Sequence, residues 1–72
     1  MQTTTMYIIV DDIDKDGRGI GGDNLCFSTR EEAEMFKTPQ QKILVRDGCP
    51  IKVAIELTNL SRILCNTKEK VD

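Results

Sequence analysis

The residues best able to do chemistry crowd one stretch, "DIDKDGRGIGGDN" at positions 12–24. Asp12, Asp14, Asp16 and Gly17 fit the D-x-D-x-D-G opening of a calcium loop. Carboxylates at alternate positions can converge on one hard cation, and the glycine permits the sharp turn. Counted from Asp12, the twelfth position is Asp23, an acid but not the bidentate glutamate. Gly19 stands where an apolar residue belongs, with Ile20 one place late. The metal reading therefore names Asp12, Asp14, Asp16 and Asp23 and expects a weak Ca2+ site, as the alternative to a chain without cofactors. Gly17, Gly19 and Gly22 also satisfy G-x-G-x-x-G. That fingerprint requires a helix to open on the loop so that its dipole meets a phosphate. Here "NLCF" intervenes and the neighbouring aspartates repel an anion.

Other catalytic chemistry is poorly provided for. The chain contains no histidine, so Ser-His-Asp and Cys-His arrangements are ruled out. Carboxylate pairs exist, but so small a domain seldom encloses a pocket of several hundred Å3. Cys26, Cys49 and Cys65 form no C-x-x-C pair, and no histidine offers a fourth metal ligand. They read as buried reduced thiols packing like small hydrophobes. The expectation is a protein that binds without catalysing. On that reading the Gly-rich stretch is a long, adaptable hairpin loop and a recognition finger. Its candidate partner-binding residues are Asp14, Lys15, Asp16, Arg18 and Asp23. The acids suit Lys or Arg on a partner, and Arg18 suits an acid or an aromatic ring.

Several elements must hold that loop. "MYIIVDD" is a β-rich run with the continuous apolarity of a central strand. "NLCF" reads as a short antiparallel neighbour. "STREEAEMFK" is the clearest helix: Ser28 or Thr29 caps it, Glu31 or Glu32 stands three residues on, and Ala33 and Phe36 share a face. "TPQQ" allows one extra turn. "KILVRDGCPIKVAIEL" reads as a β-hairpin turning at Asp47-Gly48, with Ile51, Val53, Ile55 and Leu57 alternating with Lys52, Ala54, Glu56 and Thr58. Ile55 is placed in the core and Glu56 outside. Residues 59–65 fit either a short helix capped by Asn59 or a continued strand. The expected fold class is α+β: a ββαββ domain over 6–66, with a mainly antiparallel four-stranded sheet and one helix on one face. Residues 1–5 and 67–72 read as polar tails. One short helix cannot cover four strands. Met6, Ile8, Val10 and Leu44 exceed what a single covered face needs, so a homodimer or a partner complex is expected.

Composition narrows the partners. The net charge is −2 with 31% charged residues, and Lys and Arg are scattered rather than clustered. Nonspecific nucleic-acid affinity comes from neutralised phosphates, and one Tyr, two Phe and no Trp make a poor stacking platform. No run approaches the ~20 apolar residues that span a bilayer. The N-terminal ten residues lack a basic segment and a long apolar run, so a cytoplasmic location is expected. In size, charge, absence of catalytic groups and expected element order, the chain resembles the small acidic proteins that phages and mobile elements encode. Anti-CRISPR proteins and other inhibitors of host defence are the best-known members. The resemblance is to a class and carries no residue roles. It implies docking on a host protein or protein complex, often at a nucleic-acid-binding surface. An orphan structural or regulatory role is the other reading within that class.

Overall fold

A computed structural model of the chain describes residues 2–23 and 25–69. Its elements run β1 (Thr3–Val10), β2 (Asp12–Ile13), β3 (Gly19–Ile20), β4 (Cys26–Phe27), α1 (Arg30–Phe36), β5 (Lys42–Pro50) and α2 (Ile51–Glu69). β1 is the central strand, antiparallel to β4 on one side and to β5 on the other. β2 and β3 form a separate two-stranded hairpin. The class is α+β with antiparallel sheets. Among the described residues, however, the main sheet has three strands rather than the expected four, and there are two helices rather than one. β1 begins at Thr3, within the segment read as a tail, and α2 runs on to Glu69. Asn24 of "NLCF" and residues 70–72 of the expected C-terminal tail lie outside the described residues.

The difference has one origin. The hairpin expected over 42–57 does not form, because β5 continues through Asp47-Gly48 and the chain then turns helical after Pro50. Between the pairs Thr4↔Cys49 and Met6↔Arg46, Thr5 alone faces both Asp47 and Gly48. Asp-Gly here makes a β-bulge, with Gly48 at φ 79°. The Thr5 hydroxyl donates to Asp47 Oδ1 at 2.7 Å across it. Residues 51–57 and the open segment 59–65 are thus one helix. Its core-facing positions are Ala54, Thr58, Ser61 and Cys65, all buried. That spacing is helical, but the residues are small or weakly polar, so hydrophobicity does not mark them. Ile55, assigned to the core from the two-residue period, is 57% exposed, whereas Ala54 is 3% exposed.

The two faces of the sheet are treated differently. Tyr7, Ile9, Phe27 and Ile43 meet α1 through Ala33 and Phe36, with the Phe27 and Phe36 rings stacked at 5.2 Å. Thr29 caps α1 as expected, its hydroxyl accepting the Glu32 amide at 3.2 Å. Thr38–Gln41 closes a single turn between α1 and β5. α2 packs most closely on β4, at the edge of the sheet. The Cys26 amide of that strand donates to Ser61 Oγ at 2.8 Å, and Ser61 Oγ donates to the Leu57 carbonyl at 2.9 Å. α2 thereby covers an edge that would otherwise offer unpaired amides. Arg62 ties the two helices together, meeting Glu32 through Nε at 2.7 Å and Nη2 at 2.9 Å.

Candidate functional site: an apolar groove beside a charged hairpin

The opposite face of the sheet is covered only in part: Ala54 of α2 packs with Met6 and Cys26 at the β4 side. Met6, Ile8 and Val10 of β1 alternate with the covered residues and point to this side, joined by Leu44 of β5. Val53 and Leu57 of α2 form one wall, and Gly19 and Gly21 close one end. The result is an open, mainly apolar groove of about 440 Å3. Arg46 is its one charged lining residue, and none of the three described ion pairs involves it.

α2 carries the apolar surface onward. Val53, Leu57, Leu60 and Leu64 are 37 to 57% exposed and follow one another at steps of four, three and four. A surface helix normally turns its large apolar residues inward and its small or polar ones out. α2 does the reverse. A smaller hollow of about 260 Å3 lies on its other flank, among Thr4, Ile51, Thr58 and Arg62. There the buried Thr58 hydroxyl has no partner among the described residues.

The Gly-rich segment forms a hairpin in which β2 pairs with β3. Asp14 organises its tip: Oδ1 accepts the amides of Asp16 and Arg18, both at 2.9 Å, and the backbone pairs with Arg18 and Gly17. This is an Asx-type turn in which the carboxylate mimics backbone. Asp12 Oδ1 accepts the Ile13 amide at 2.8 Å and Lys42 Nζ at 2.6 Å. The Lys42 hydrogen bond foremost, then that amide, lowers the pKa of Asp12 below its ordinary value. Asp11, which the sequence reading left unused, accepts Gly22 N and Gln41 Nε2 and anchors the hairpin to the sheet. The glycines answer a packing need. A Cβ on Gly19 would lie 2.6 Å from Val10 Cγ1, and one on Gly22 would lie 2.8 Å from the Ile9 carbonyl at φ 91°.

The residues named from sequence therefore separate. Lys15, Asp16 and Arg18 are exposed at the hairpin tip and Asp23 lies at its base, while Asp14 serves the turn. Asp12, Asp14, Asp16 and Asp23 are not gathered: among the described residues no three Asp, Glu or Cys stand close enough to hold a metal ion. None of the three cysteines is in a disulfide among the described residues, and Cys26 and Cys65 are buried. Burial first, and then the nearby Cys49, pushes the Cys26 thiol up, which keeps it protonated and unreactive. Among the described residues no helix is long and apolar enough to cross a membrane. The groove itself was only half visible in sequence. Of the apparent surplus of Met6, Ile8, Val10 and Leu44, Met6 and Val10 are buried within the chain and Ile8 and Leu44 stay half-buried in the groove, while the α2 wall is hidden in the sequence by its strand-like alternation. Compared with protein-family models, with curated proteins and with solved structures, the chain matches none significantly.

Proposed function

We propose that the chain is a non-enzymatic protein-docking module whose contact surface is the groove between the open sheet face and α2. The observation that carries this reading is the continuity of two apolar surfaces, the groove in which Ile8 and Leu44 stay half-buried above the buried Met6 and Val10, and the outward row of α2. Contiguous apolar patches of more than a few hundred Å2 mark interaction sites. Each Leu-sized side chain buried there supplies roughly 1.5–3 kcal/mol, so a few anchors offset the cost of association. The hairpin adds a charged rim in Lys15, Asp16 and Arg18. A finer reading is an inhibitor of a host protein complex in the host cytoplasm, acting by steric or acidic-mimic blockade. It is supported by the small size, the acidic balance and this exposed hairpin. The cation-binding alternative draws no support from the placement of the four carboxylates.

The test is a photo-crosslinking amino acid placed at position 44, within the groove, and separately at position 35, where Met35 is 74% exposed on α1. Adducts with a second polypeptide are expected from position 44 and not from 35. Equal labelling from both sites, or none from 44, would sink the docking reading.

A further inference from the structure

We infer that the occupant of this surface is the α2 helix of a second copy of the same chain, in a two-fold symmetric dimer. The inference rests on the docking reading above and names its partner. The first ground is the period of the exposed row. Val53, Leu57, Leu60 and Leu64 follow the four-three-four spacing of a heptad seam, which is the pattern that seats one helix against another. A loop or a flat surface does not call for that period. The partner must therefore present a helix with large apolar residues on one narrow stripe, and α2 is such a helix.

The second ground is the shape beside the row. α1 covers one face of the sheet, whereas the other is covered only in part, by Ala54 of α2 over Met6 and Cys26 and by Gly19 beside Val10, which leaves Ile8 and Leu44 half-buried in the groove. Val53 and Leu57 wall the groove, so a helix laid along the row also lies over Ile8 and Leu44. At 19 residues, α2 is about 28 Å long, enough to follow the row and the groove together. A specific dimer needs roughly 600 Å2 from each copy, more than one helix stripe offers. Seating each α2 beside the other's groove uses both surfaces at once, and two-fold symmetry makes the contact close on itself.

The third ground is charge. Arg46 at the groove and Glu56 on α2 are both exposed, and neither takes part in the described ion pairs. A second copy brings a Glu56 to a surface that carries an Arg46, and the same pairing repeats by symmetry. Opposite charges at the rim of such a contact set its register and speed its formation.

The test is sedimentation equilibrium of the full chain over roughly a hundredfold range of concentration, since a dimer forms by mass action. The wild type is expected to rise from 8.1 kDa towards twice that mass. The double variant Leu60→Glu, Leu64→Glu should lose about thirtyfold or more in association, the size of a hot-spot loss. Both positions are exposed and outside the groove, so its circular dichroism at low concentration should match the wild type. If that spectrum shows unfolding, Leu60→Lys alone replaces it, with the same loss of association expected. A wild type that stays at 8.1 kDa throughout, or a folded charged variant that pairs as tightly, would overturn the dimer. The crosslinker at position 44 separates this failure from that of the docking reading. Adducts of twice the chain mass support the dimer. Adducts of other masses alone overturn it while leaving docking intact, and no adduct at all removes both.

Discussion

The two helices use their apolar residues in opposite ways. α1 is short and turns Ala33 and Phe36 onto the sheet, leaving Glu31 and Glu34 to solvent. α2 is nearly three times as long and buries Ala54, Thr58, Ser61 and Cys65 while its leucines stay outside. For α1, burial of the amphipathic face is reason enough for the helix to exist. For α2 it is not. Small residues let α2 approach the β4 edge closely and supply the Ser61 hydroxyl that edge needs, but they remove little apolar area from water. The lesson is that one element of this fold completes the core, whereas the other closes a sheet edge and presents a surface.

Charges placed on the inward positions should abolish that distinction, because both inward faces are sealed. Ala33 is fully buried and Ala54 nearly so. Ala33→Asp and Ala54→Asp each force an unpaired carboxylate into an apolar site, and a core of this size supplies no more than about 3–5 kcal/mol. Both variants should be unfolded at room temperature by circular dichroism. A folded Ala54→Asp protein would mean that α2 is not docked through this face. Ser61→Ala probes the same docking more gently. It strips the Cys26 amide of its acceptor, and a buried donor left unsatisfied costs about 1–3 kcal/mol. Urea unfolding should show that loss without a change in slope.

The half of the fold built on large apolar residues was legible in the sequence. β1 announces itself by Tyr7, Ile8, Ile9 and Val10, and α1 by its cap, its acidic first turn and the Ala33–Phe36 face. α2 was not legible as a helix, because two signals pointed elsewhere. Asp47-Gly48 is the commonest hairpin dipeptide, yet the same left-handed glycine serves a bulge equally well. The alternation of Ile51, Val53, Ile55 and Leu57 mimics a strand, while the true core positions carry Ala, Thr, Ser and Cys. The candidate site shared that fate. Its sheet half was visible as surplus hydrophobicity, and its helical half was not. The charged hairpin drew the eye first, but the roles of Asp11, Asp12 and Asp14 as its fasteners depend on pairings with Gly22, Gln41, Lys42 and the tip amides. Local spacing cannot reveal contacts made across thirty residues.

A smaller effect tests how the helices are joined. The Arg62 hydrogen bonds hold the Glu32 carboxyl below its ordinary value of 4.5, against an opposing rise from burial. A depressed carboxyl stabilises the fold above its unfolded pKa and loses that contribution as pH falls through the folded value. The thermal midpoint should therefore decline below about pH 4.5, and Glu32→Gln should flatten that part of the decline. Because the Arg62 side chain is half exposed, added salt should shrink the difference further. A pH profile identical in Glu32→Gln and wild type would mean the bridge contributes nothing to joining α1 and α2.

The smallest expected change carries the sharpest contrast. Ile55 neighbours Ala54 in sequence but is 57% exposed, at the rim of the smaller hollow, and it also lies off the Val53–Leu57–Leu60–Leu64 row. In a strand with the two-residue period, Ile55→Asp would drive a charge into the core and unfold the domain. In α2 the new carboxylate stands in solvent on the fifth residue of the helix, near the end where the macrodipole favours a negative charge. Asp is a poorer helix former than most residues by a few tenths of a kcal/mol, which opposes that gain. The net change in stability should stay within about 0.5 kcal/mol. Self-association should also be unaffected, since the seam is left whole. Ile55→Asp is thus the internal control for both claims about α2. An unfolded Ile55→Asp protein would return residues 51–57 to a strand, and a folded variant that no longer dimerises would move the contact from the leucine row to the opposite flank.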